Sequence, residues 1–143
     1  MGMAIRMNIG QFKQLLRAKV DKLHEATRPA AQAGAQIIYE RARINAPVSD
    51  EMHYFHIRGK KYGPYAPGNL RDSVYQVFSK SNSYKDVSTY HISWNKDKAP
   101  YGYVYEWGNS KRGAKSFIAR SVIETRAQVR EAIKARYIEE VNK

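Results

Sequence analysis

Few residues in this chain have side chains suited to chemistry. Among its 143 residues there are four histidines and no cysteine. A thiolate zinc site, a thiol nucleophile and a disulfide framework are therefore excluded. His53-Tyr54-Phe55-His56 sets two imidazoles three apart, with Asp50 and Glu51 close by. On a helix that spacing would suit a metal. In a segment rich in proline and glycine it has no fixed geometry, and an ordinary mobile loop is the expectation. His91 falls on the polar side of an alternating stretch and His24 among charged neighbours, and neither marks a catalyst.

Asp72, Asp86, Asp97 and Glu106 fall in different segments and form no acid–base pair. Glu106 stands out because Tyr105 and Trp107 flank it. Desolvation there would raise its pKa, as in many catalytic acids. The preferred reading is that its carboxylate accepts bonds from backbone amides or an arginine. No G-x-x-x-x-G-K-[ST], G-x-G-x-x-G or G-x-S-x-G pattern occurs. Nothing nominates an enzyme, and no cofactor or metal is expected.

Charge is the strongest global signal. Lys and Arg number 25 against 13 Asp and Glu, a formal net charge of +12. Such a chain should meet an acidic partner: nucleic acid, an acidic protein surface or anionic lipid. The excess is +5 over residues 1–48 and +5 over residues 109–143, with +1 in each of the segments 49–66 and 67–108. Two short basic segments, Arg58, Lys60, Lys61 and Lys111, Arg112, Lys115, are candidates for contact with phosphate or an acidic partner. The run Tyr101, Tyr103, Tyr105, Trp107 could stack bases; a core face or a protein interface is the preferred reading.

The elements that must position these residues follow from periodicity. Asn8 with Gln11 has capping-box spacing, and Phe12, Leu15, Leu16, Val20 and Leu23 recur at helical intervals over residues 8–26. Pro29 predicts a second helix over residues 29–45, or a kink in one helix. Ala46-Pro47 ends that helix. Residues 48–68 read as a long mobile loop, followed by strands over 70–79 and 87–95, with Tyr90, Ile92 and Trp94 on one face. Residues 101–107 suit a strand or a short helix, and a helix runs from Ser116, or a neighbour as cap, to about Glu140. The expected fold is one α+β domain over residues 1–143, with N-terminal helices and a C-terminal helix packed on a small antiparallel β-sheet. No apolar run nears the roughly 18–20 residues of a membrane span, and Met1–Ile9 shows no secretory pattern. A soluble, cytoplasmic chain is the expectation.

Four segments taken in order resemble one family. They are Ala42-Arg43-Ile44-Asn45-Ala46-Pro47; Gly68-Asn69-Leu70-Arg71-Asp72-Ser73-Val74; Ala99-Pro100-Tyr101-Gly102-Tyr103-Val104-Tyr105-Glu106-Trp107-Gly108; and Phe117-Ile118-Ala119-Arg120-Ser121. The set resembles the head–tail joining and tail-completion proteins of tailed bacteriophages, the gene-product-ten-like minor tail proteins of lambdoid phages. Two positions depart from the family pattern: Trp107-Gly108-Asn109 stands where Phe-Gly-Thr is usual, and Ser116 where a proline is common. The resemblance implies a small non-catalytic α+β domain in the virion, present in the host cytoplasm during assembly. It would form or join rings around the DNA channel with neighbouring head–tail or tail proteins. Pro47, Gly68, Leu70, Asp72, Ser73, Tyr101, Glu106, Gly108 and Phe117 would then specify the fold. Gly68 would take a positive φ, Asp72 or Ser73 would bond local backbone, and Glu106 would lock the turn before Gly108. The basic loops would touch partners or DNA. Two other readings stand beside it: a stand-alone, non-sequence-specific nucleic-acid-binding protein, and a small hydrolase or nuclease using Glu106 and a histidine.

Overall fold

A computed structural model describes residues 2–3 and 9–143. The proposed cap Asn8 lies outside the described residues. The first element is a single helix, α1 (Ile9–Asn45), 37 residues long with Pro29 inside it. Of the two readings offered at Pro29, a second helix or one helix running through, the single helix holds. An internal proline removes one helical hydrogen bond and crowds the preceding turn, a cost of about 3 kcal/mol. Packing offsets that cost. Ala26, Ala30, Gly34 and Ala35 are buried around the proline, and Thr27 Oγ1 donates to His24 O at 2.7 Å. His24 also pairs with Asp86, tying this stretch to the loop before the last strand.

Helix α4 (Ile118–Val141) lies antiparallel along α1. Arg41 Nε meets Glu124 at 2.6 Å near one end, and Lys22 Nζ reaches Lys143 O at 2.7 Å near the other. Gly34 permits the close approach. A Cβ there would come within 2.8 Å of the Ile133 side chain.

Between these helices the segment expected as a loop contains a β-hairpin. Strand β1 (His53–Ile57) pairs antiparallel with β2 (Lys60–Tyr65), in the register Phe55↔Tyr62 and Ile57↔Lys60. Arg58 and Gly59 form the two-residue turn, both with positive φ, 51° and 77°, as a turn matching strand twist requires. Arginine rarely takes that conformation, so the turn carries no Asn-Gly or Asp-Gly signature.

The stretch predicted as a strand over 70–79 divides into α2 (Asn69–Ser73) and β3 (Val74–Phe78). β3 pairs antiparallel with β4 (Tyr90–Trp94), aligning Gln76 with Ile92. The sheet is thus two separate two-stranded ribbons, and the fold is α+β with helices at both ends. Residues 101–107 resolve as a helix, α3 (Gly102–Trp107). A Cβ on Gly102 would collide with the Trp94 indole, so that turn seats against the ring only without a side chain. Among the described residues no helix is long and apolar enough to cross a membrane.

Candidate functional site: a shared core, a carboxylate cap and a basic rim

The four segments that resemble the phage family meet in one place. Ala42 from α1 and Ala46 just past its end, Leu70 and Val74 from α2 and β3, Ala99 and Tyr101 before α3, and Phe117 before α4 form one buried cluster with Trp94. Tyr101 and Phe117 are among the largest fully buried side chains. The Tyr101 ring stacks on Phe55 with centroids 4.3 Å apart and an interplanar angle of 4°. Its hydroxyl accepts from Asn69 Nδ2 at 3.1 Å. Burial raises the phenol's pKa, so it stays neutral. Pro47 follows the cluster at the end of α1, half-buried.

Glu106, on α3, is buried, and its carboxylate caps α4. It accepts from the backbone N–H groups of Phe117 at 3.0 Å, Ile118 at 2.9 Å and Ala119 at 2.9 Å, and from Ser116 Oγ at 2.9 Å. These are helix-start donors with no partner inside their own helix. Burial by itself raises the carboxyl's pKa, but the four hydrogen bonds outweigh it and hold the group below its ordinary value. Glu106 is thus an ionised structural acceptor. It does not lock the turn before Gly108, and Ser116 is no independent cap of α4, because its hydroxyl donates to Glu106. Gly108 closes α3 with φ 75° and ψ −179°, a conformation open essentially to glycine. A Cβ there would meet Ala114 N at 2.7 Å.

Gly68 adopts φ 83° at the start of α2. Ser73 Oγ donates to Leu70 O at 2.7 Å, the local backbone bond expected of it. That bond meets the expectation that Asp72 or Ser73 would supply it, and the Asp72 carboxylate instead faces Arg71 at 3.0 Å and Arg43 at 3.4 Å. The hydrogen bond from Arg71, and then the neighbouring charges, lower its pKa.

The histidine pair has no shared geometry. β1 turns His53 toward the core, its ring edge-on to Tyr101 at 5.3 Å, while His56 is exposed on the other face. Successive strand residues alternate faces, so a spacing of three separates the imidazoles. The aromatic run is also dispersed, because a helix fans its members apart. Tyr101 is buried, while Tyr103 and Trp107 are exposed. No flat stacking platform results.

The structure does bring one basic loop to an aromatic surface. Arg112 lies 5.8 Å from the Phe55 ring and 5.7 Å from the Tyr105 ring, and its Nη1 donates to Tyr105 OH at 3.4 Å. With Lys111, His56 and Tyr54 it lines an open cleft of about 460 Å³ between the hairpin and the 109–115 loop. Lys115 is exposed in that loop, its backbone N–H donating to Tyr105 O at 2.7 Å. Arg58 occupies the hairpin turn and stays outside the cleft. Lys60 and Lys61 start β2, their ammonium groups 5.4 Å from Tyr62 and 4.0 Å from Tyr54. The cleft, formed by segments about fifty residues apart, carried no sequence signal beyond its basic residues. No family model, curated protein or solved structure matches the chain significantly.

Proposed function

We propose that the chain is a structural protein of a tailed bacteriophage or prophage. It sits at the head–tail connector or tail terminus and assembles, as a homo-oligomeric ring, with neighbouring virion proteins around the DNA channel. One observation carries this reading: the four segments that resemble the family converge in a single core. In that core Glu106 is engaged as a helix cap, with no histidine among its hydrogen-bond partners. A residue set that positions elements suits an assembly protein and gives no support to hydrolysis. Electron microscopy of virions carrying a labelled copy tests it. Label is expected at the neck or tail end, and virions without label at either place overturn the reading.

The Arg112 cleft favours a second reading, non-sequence-specific nucleic-acid binding. Cations beside aromatic rings suit single strands through phosphate contact and stacking. On this reading the affinity for single-stranded DNA falls steeply with salt. The double variant Lys111→Ala, Arg112→Ala then weakens binding and flattens the log–log salt slope by roughly 1–2. Absence of binding at low salt, or an unchanged slope in the variant, removes this reading.

A further inference from the structure

The first fifteen residues of α1 run past the partner that covers the rest of the helix. At 1.5 Å per residue α1 is about 55 Å long and α4 about 36 Å, and α4 ends beside Lys22. From Leu23 back to the start of α1, Ile9, Phe12, Leu15, Leu16, Val20 and Leu23 are 39–67 % exposed. At about 100° per residue, Ile9, Phe12, Leu16, Val20 and Leu23 fall within roughly 80° of arc. Gly34, which lies against Ile133 and Val129 of α4, and Ala30, also buried, lie on the same arc. The stripe is an apolar face left open where α4 ends, beside the Lys22–Ala26 stretch on which the end of α4 rests.

Charge surrounds this stripe asymmetrically. On the same wheel Lys19 and Lys22 flank one side and Lys13 and Arg17 the other, while Asp21 and Glu25 fall on the back of the helix. Residues 9–23 carry a net +3. We infer that Ile9–Leu23 of α1 is a docking rail for an acidic amphipathic helix of a different protein. Such a helix places apolar side chains on the stripe and carboxylates against the flanking cations, the helix-in-groove mode of recognition. A second copy of this chain fits worse, because two such overhangs oppose like charges. The inference rests on α1 alone, and its failure leaves the virion reading untouched.

The test uses the full chain and three probes. The first is a 21-residue synthetic helix with leucine at the a and d heptad positions and glutamate at e and g. The second is the same peptide with lysine for glutamate. The third is vesicles rich in phosphatidylglycerol. Titration calorimetry should show the acidic peptide binding at least tenfold tighter than the lysine peptide, and more weakly as salt rises. The double variant Phe12→Asp, Leu16→Asp should lose at least tenfold in affinity with its melting temperature unchanged, since both side chains are exposed. Any of four results overturns the inference: equal binding of the two peptides, binding indifferent to the double variant, a concentration-dependent dimer that the variant abolishes, or vesicle binding without acidic-peptide binding.

Discussion

Replacing Glu106 by alanine should destabilise the fold by about 3 kcal/mol. The variant leaves three backbone N–H groups and the Ser116 hydroxyl without their acceptor at the buried start of α4. Bonds to an ionised acceptor are the stronger kind, and a buried donor left unmet costs its full desolvation. In a domain of this size the loss should lower the melting temperature by roughly 10 °C, read by circular dichroism. Glu106→Gln keeps the shape but presents one amide nitrogen to donors, and should cost about 2 kcal/mol. A pH series identifies the charge as the cause. The folded carboxyl sits below its ordinary value, so its contribution is complete above the unfolded pKa of about 4.3 and is lost as pH falls through the folded value. The gap between the wild type and Glu106→Gln should therefore narrow on acidification. A gap constant from neutral pH to pH 2 would show that the ionised cap is not the source.

Tyr101→Ala should cost about 3–5 kcal/mol, the range for emptying a buried aromatic site. Domains of this kind hold only about 5–15 kcal/mol in total, so urea denaturation should find the variant's midpoint far below that of the wild type. Tyr101 is the joint of the molecule. Its ring stacks on Phe55 from the hairpin and contacts Tyr65 at 4.7 Å, while its backbone leads into α3. Tyr101→Phe retains the ring contacts and loses the hydroxyl that accepts from Asn69, for about 1 kcal/mol. Equal losses in the two variants would mean that the hydroxyl, not the stacked ring, holds the hairpin to the core.

Much of the frame was legible because local chemistry and tertiary packing agree. The alternation of Tyr90, Ile92 and Trp94 describes a face that the fold does bury or pack, whereas the stripe of Phe12, Leu15, Leu16, Val20 and Leu23 marks α1 as a helix but stays exposed. Legibility failed where tertiary contact overruled local preference. Pro29 should break a helix, but the buried alanines and Gly34 around it hold the chain against α4. The hairpin was hidden because its turn uses Arg58-Gly59, and its strand alternation is interrupted by an irregular register near His53. Residues 70–79 show β-propensity throughout, but Gly68 opens a helical turn that buries Leu70 and Ser73.

The candidate site divides in the same way. The absence of thiol chemistry, the +12 charge, its weighting toward the two ends and the α+β class can be read from the residues alone, because they depend on residue identity and short-range spacing. Glu106 also stands out among the acids at that level. Its role depends on the fold, because the donors it meets lie ten to thirteen residues ahead, at the start of another helix. Distance along the chain likewise concealed the meeting of Arg112 with Phe55 and the point where α4 stops short of α1. Each depends on where two remote segments come to rest, and no local pattern encodes that.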